Sequence, residues 1–300
     1  MNGTAGEVTV AERVRSRIAA LTPAERRAAR TLLAGYPVRG LEPVAKLAAA
    51  SGVSAPTVLR LISKLGFDSY TEFQQSLKAE VGARMSSPLE MHAGRAGTDG
   101  EGALDRTERL LCDGIHASFA RLPPAEFEHA VRLLSDTRRG VTLIGGRFSS
   151  MLADYLAAHL RILRPGVRLV SGSGTDRTSS VLDIRPRDVL VAFDYRRYQR
   201  DTVRLARAAK EQGATVIAFT DPYLSPLSAF ADVMLTTSVA SASPFDTATP
   251  ALALAEAVIA ALVDRMGGAL SERMGRYDAL HGGAVDGTDG GPAMWPEARQ

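Results

Sequence analysis

The sequence predicts two folds in series. An all-helical N-terminal bundle built around a helix-turn-helix comes first, followed by a three-layer α/β/α domain with a five-stranded parallel sheet. Three observations carry this reading. Apolar side chains recur at helical spacing through the first third of the chain. From Gly140 onward, short runs rich in Val, Leu and Ile alternate with helical stretches, the pattern of a parallel sheet covered on both faces. A length of 300 residues suits two domains better than one. The expected divisions are 8–84 for the helical head, 85–102 for a linker, 103–280 for the body and 281–300 for a disordered tail.

In the head, Val10, Val14 and Ile18 outline a first helix. Thr22-Pro23-Ala24-Glu25 opens the next: Thr22 caps, Pro23 takes the first position, and Glu25 closes a capping box. Pro43–Ser51 is a short Ala-rich helix, and Gly52 supplies the positive-φ residue that a tight turn between helices needs. Val53 would plug that corner. In Val53–Gly66, the residues Val58, Leu61, Ile62 and Leu65 make one apolar face, while Thr57, Arg60 and Lys64 follow a donor-rich stripe on another. Ser54 stands at the N-cap and Pro56 in the first turn. A helix with a core-facing stripe and a donor stripe opposite suits a major groove. The candidate DNA contacts are therefore Ser54, Thr57, Arg60 and Lys64, with Lys46 on the preceding helix. Ser69-Tyr70-Thr71-Glu72 is a second capping box, opening a helix with a Phe73, Leu77, Val81 stripe. The head thus holds about five helices.

Charge agrees with a DNA partner. Residues 1–85 carry twelve Lys and Arg against seven Asp and Glu, whereas the remainder carries 24 against 26. A basic head on a near-neutral body is the electrostatic footprint of nucleic-acid binding. The 45% hydrophobic content and 23% charge are those of a globular protein. The single cysteine, Cys112, cannot form an intrachain disulfide and reads as a small apolar residue on a helix. There is no signal-peptide pattern, and no run approaches the ~18 apolar residues of a membrane helix. A cytoplasmic location without membrane contact is expected.

Ser86–Gly102, rich in Gly, Ser and charge, reads as the linker. Leu104–Phe119 and Ala125–Asp136 follow as helices. Strands are expected at Val141–Ile144, Val167–Val170, Asp188–Phe193, Ala214–Phe219 and Val233–Thr236. Helices are expected at Ser149–Leu163, Asp201–Gln212 and Ala251–Met266. Ligands of such sheets bind at the carboxyl ends of strands, which points to the loops after Ile144, Phe193 and Phe219. Trp295, the only tryptophan, falls in the tail and outside any core.

Two stretches together resemble the RpiR/MurR family of bacterial transcription regulators. In the head the match runs from Leu47 to Phe67, as L-A-x-x-S-G-V-S-x-x-T-V-x-R-x-x-x-K-L-G-F. In the body it runs through V-L-V-A-F, G-A-T-V-I-A-F-T-D and S-P-L-S-x-x-A-D-V-M-L. The resemblance implies a C-terminal SIS (sugar isomerase) domain that holds phosphorylated sugars through two hydroxyl-rich loops. In the first loop, Gly145 and Ser149 are kept, but Arg147 replaces the second glycine. In the second, the family's S-x-S-G-x-T becomes Asp194-Tyr195-Arg196-Arg197-Tyr198-Gln199. The small hydroxyls and glycine that admit a phosphate to backbone N–H groups are gone.

The effector candidates are Gly145, Arg147, Ser149, Ser150, Asp194, Arg196, Arg197 and Gln199. Three outcomes stand open: the arginines grip a carboxylate or phosphate by forked hydrogen bonds, Asp194 accepts from a less charged metabolite, or the Asp–Arg cluster satisfies itself as a salt-bridged lid on a site that binds nothing. Ser149 reads equally as a ligand contact and as a helix N-cap, and Thr220-Asp221-Pro222 as a second reach into the cleft or as turn chemistry. The expected function is a DNA-binding regulator that senses a small carbohydrate derivative or other small anion, and works as a homodimer or homotetramer. The alternatives are an isomerase-like enzyme, with His129, His159 or Glu256 as base, and a body that only oligomerises. An isomerase has no use for the head, and His159 reads as a packed helix residue. No cofactor and no metal site is expected.

Overall fold

The computed structural model describes residues 8–85, 102–172 and 175–282. Most of the expected linker, the expected tail and Trp295 lie outside the described residues.

The head comprises α1 (Val10–Arg17), a 3₁₀ turn, α2 (Pro23–Ala34), α3 (Val38–Leu41), α4 (Val44–Ser51), α5 (Ala55–Lys64) and α6 (Tyr70–Met85). The capping box at Thr22 and Glu25 forms as expected, and Thr9 and Glu12 build another at α1. The box at Ser69 is half made. Ser69 caps the Glu72 N–H, but Glu72 accepts from Asp68 instead of Ser69. One apolar cluster joins α1, α2, α4, α5 and α6 through Val14, Leu32, Leu47, Leu61, Ile62 and Phe73. The sixth helix beyond the expected five is α3. At four residues it has no readable period, and it seats closely because a Cβ at Gly40 would fall 2.4 Å from Leu77 Cδ1.

The body begins with α7 (Ala103–Arg121) and α8 (Pro124–Ser135). It continues through β1 (Val141–Gly145), α9 (Ser150–Leu163), β2 (Val167–Val170), α10 (Thr175–Leu182), β3 (Val189–Phe193) and α11 (Arg200–Glu211). It closes with β4 (Thr215–Thr220), β5 (Val233–Thr236), α12 (Thr249–Met266) and α13 (Gly268–Gly282). All five strands are parallel, in the order β2-β1-β3-β4-β5. Alternate strand residues feed two cores. Leu143, Val191, Phe193 and Phe219 pack toward α8, α9 and α12, whereas Ile144, Leu190, Ala192 and Ala218 pack toward α10 and α11. That is the expected three-layer architecture. The helices α10 and α13 were not anticipated; their sequences, T-D-R-T-S-S-V-L and G-A-L-S-E-R-M-G, carry few apolar residues. Cys112 corrects the apolar reading, since it is exposed on α7. Among the described residues no helix is long and apolar enough to cross a membrane.

Candidate DNA-reading helix and effector cleft

The turn between α4 and α5 is built as a helix-turn-helix corner. Gly52 adopts φ 61°, ψ 39°, a left-handed conformation that a Cβ would oppose. Val53 follows half-buried against the head core. The α5 helix then buries Val58, Leu61 and Ile62 and turns Ser54, Pro56, Leu59, Arg60 and Ser63 to solvent.

Two of the five expected contacts are placed differently. Thr57 is only 7% exposed; its hydroxyl shares a 2.9 Å hydrogen bond with Ser54 Oγ and accepts one from Arg60 Nη2 at 3.1 Å. It braces the first turn from inside the stripe. Lys64 donates to the buried Glu25 carboxylate at 2.8 Å, and this bond is the main reason Glu25 titrates below its ordinary value. Its ammonium therefore ties α5 to α2. Ser54, Arg60 and Lys46 are exposed. Ser54 bonds Thr57 and makes no capping bond with its side chain. Arg17, unnoticed in the sequence, donates to the carbonyl of Lys64 and holds the far end of α5. Its only signal was a basic last turn on α1.

In the body, strand order reverses between β1 and β3, and the crevice at that switch point is where such sheets bind ligands. A cleft of about 650 Å³ opens there. Of the expected residues, Gly145, Arg147, Ser150 and Gln199 line it. Gly145 is forced: a Cβ would fall 2.5 Å from Ser150 Cα. Gln199 packs over Gly146, where a Cβ would meet its Cγ at 2.7 Å. The second loop thus fills space above the glycine turn. Arg147 is exposed, with its guanidinium 5.6 Å from the Phe148 ring.

The other four expected residues are spent inside the protein. Ser149 Oγ accepts from Gly146 N at 2.9 Å and donates to Phe193 O at 2.7 Å, so Ser149 stands at the N-cap of α9 without a side-chain capping bond and does not line the cleft. Asp194 is fully buried, accepting from Gln199 N at 3.0 Å and from the Ser225 hydroxyl. Arg196 and Arg197 both pair with Asp246. Arg197 nonetheless has φ 68°, the conformation glycine favours, at the position where the family resemblance puts glycine. The arginines thus pair with Asp246 rather than with Asp194, and Arg197 Nε is buried without a hydrogen-bond partner.

The cleft also recruits residues the sequence did not single out. Arg177 of α10 donates to Gly145 O at 3.1 Å and to Asp201 at 2.9 Å. Asp154 and Ser171 complete the polar lining. The signal available was the carboxyl end of β2, the strand that pairs with β1 on the side away from β3. The loop after β4 lies beyond β3 and does not line the cleft. There Asp221 is buried beneath the second loop, accepting from Tyr198 at 2.7 Å and from Tyr223 N at 2.9 Å. Its Oδ2 has no partner, and burial raises its pKa to about 6. His129, His159 and Glu256 do not line the cleft. His159 packs on Tyr155 at 4.5 Å between ring centroids, with Nδ1 2.9 Å from the Tyr155 carbonyl.

Residues 8–84 match the helix-turn-helix domain of the rpiR family, and residues 133–261 match the SIS domain. The chain belongs to the rpiR family. The head match coincides with the bundle of α1–α6, and the SIS match spans the sheet and most of α12. Among relatives, a bifunctional protein glk from Burkholderia mallei is 31% identical over 235 residues, covering 76% of this chain. This chain spans about a third (35%) of that relative's length. An uncharacterized HTH-type transcriptional regulator from Haemophilus influenzae is 23% identical, covering 75% of this chain and 78% of its own. Two solved structures share the fold. The sugar isomerase domain of an RpiR transcription factor from Sphaerobacter thermophilus has a TM-score of 0.56 at 21% identity, covering 59% of this chain and 98% of that one. The Vibrio vulnificus NanR protein, complexed with ManNAc-6P, has a TM-score of 0.53 at 17% identity, covering 93% of this chain and all of that one.

Proposed function

We propose that this rpiR-family protein is a DNA-binding transcription regulator whose SIS domain senses a small polar metabolite and adjusts operator affinity. The observation that carries the sensing half is the cleft at the β1–β3 switch point. It is open and lined by hydrogen-bonding groups, the exposed Arg147 among them. The Arg60 face of α5 supports the DNA-binding half.

The ligand we infer is a carbohydrate derivative or other small anion, distinct from the usual sugar phosphates. Arg147 would grip its anionic group by a forked pair of hydrogen bonds, and Ser150 and Gln199 would meet its hydroxyls. Two features argue against a phosphate held in the family manner. Gln199 occupies the space over Gly146, and the carboxylates of Asp154 and Asp201 share the cleft. We infer that the metabolite is sensed rather than converted, since the attached helix-turn-helix head has no use in an isomerase.

We further infer a cytoplasmic homodimer or homotetramer formed through the body, with two heads on a pseudo-palindromic site whose half-sites lie about 34 Å, or a multiple, apart. The ligand acts by its differential affinity for two arrangements of the heads.

The experiment is a thermal-shift panel of sugar phosphates, organic acids and amino-acid derivatives, followed by operator titrations with each hit. A saturable shift from a non-phosphorylated acid or carbohydrate that also changes operator affinity is expected. A strong saturable shift from a hexosamine phosphate overturns the ligand class. Ligand binding with no change in operator affinity overturns the regulatory link.

A further inference from the structure

We propose that Leu59 is a base-reading residue, selecting thymine in the operator half-site through contact with its C5 methyl group. The inference rests on the DNA-binding reading of α5 and goes beyond it by naming what one position recognises.

Leu59 is 44% exposed on a helix whose Val58, Leu61 and Ile62 are buried. The head core takes in Val58, Leu61, Ile62 and Leu65, with Val53 and Ala55 packed against it, and does not include Leu59. At ~100° per residue, Leu59, Ser63, Pro56 and Arg60 fall within an arc of about 100° on the outward side. That is the width of one face, so a helix presenting Arg60 to a groove brings Leu59 with it.

The inward placement of Thr57 and the tie between Lys64 and Glu25 narrow this face further. The reading surface then offers the Arg60 guanidinium, small hydroxyls, the tethered but still exposed Lys64 and one large apolar side chain. A major groove offers donors, acceptors and a single kind of apolar group, the thymine methyl. Arg60 matches the acceptor edge of guanine, and Leu59 matches the methyl. The basic balance of the head, twelve cations against seven anions in residues 1–85, favours the polyanion as occupant of this face.

The test begins by selecting sites from a random duplex pool with the full-length protein, as wild type, Leu59→Ala and Arg60→Ala. Each thymine of the wild-type site is then replaced in turn by deoxyuridine, which removes only the methyl. At one thymine per half-site, wild-type affinity should fall about three- to tenfold. Leu59→Ala should bind the thymine and deoxyuridine sites equally and should lose the preference at that position in its own selection. Circular dichroism confirms that the exposed substitution leaves the head folded. Retention by Leu59→Ala of the wild-type methyl dependence overturns the proposal, as does insensitivity of the wild type to every replacement. A change confined to oligomeric state also overturns it. Failure of the wild type to enrich any site removes the DNA-binding reading itself, an outcome distinct from the others.

Discussion

The two loops flanking the switch point, 145–149 and 194–199, begin from similar chemistry and end in opposite states. Both carry arginine, and both follow a buried strand. The first leaves Arg147 exposed at the cleft, whereas the second folds its charges against Asp246, Ser225 and the backbone. What separates them is the nearest carboxylate. Asp246 is almost buried and pairs with both guanidiniums. The head repeats the lesson, with Lys64 tied to the buried Glu25 carboxylate while the Arg60 guanidinium bonds the Thr57 hydroxyl.

The largest test of this contrast is Asp246→Ala. It leaves two guanidiniums without their acceptor, and the Arg196 side chain is only 8% exposed. The body should lose about 3 kcal/mol in a denaturant titration. Asp154→Ala in the open cleft should cost under about 0.5 kcal/mol. Equal losses would erase the distinction between the loops.

Next comes the carboxyl beneath the closed loop. Burial raises Asp221 to about 6 from an ordinary value of 3.8. Folding therefore favours its protonated form. This contribution is fully present below about pH 3.8 and is lost as pH rises through 6. The loss should approach roughly 3 kcal/mol by neutrality. Asp221→Asn should flatten stability across that window, measured as thermal unfolding against pH.

In the head, Arg60→Ala should weaken operator binding by about 1–3 kcal/mol with little change in melting temperature. Lys64→Ala should instead lower head stability by on the order of 1 kcal/mol, because it strands Glu25. A reversed pattern would return Lys64 to the groove. The smallest effect separates two variants of one residue. Arg197 stands at φ 68°, so Arg197→Gly should be about 1 kcal/mol more stable than Arg197→Ala, the Asp246 pair being lost in both.

Much of this was legible in the sequence because it depends on local rules. Thr22 with Glu25 and Gly52 at the turn each need only near neighbours, and the five strands announce themselves as apolar runs. What escaped depends on residues far apart in the chain. Nothing near Lys64 reveals Glu25, 39 positions away, and nothing near Arg196 reveals Asp246, 50 positions away. Thr57 looked like a groove donor because helical spacing fixes a stripe but leaves its edges open, and Thr57 lies on the inner edge. Arg177 was missed because T-D-R-T-S-S shows no clear period, although the helix α10 that carries it follows β2 and brings Arg177 to the cleft.

One measurement bears most directly on the central claim that the open loop, through Arg147, links metabolite to operator. Operator affinity is titrated with and without a ligand that shifts wild-type melting, for the wild type and Arg147→Ala. The ligand should change affinity at least fivefold in the wild type and leave Arg147→Ala unmoved, with ligand-free DNA binding alike in both, since allosteric couplings of about 1 kcal/mol or more produce changes of that size. An equal ligand response in the two proteins would contradict the account.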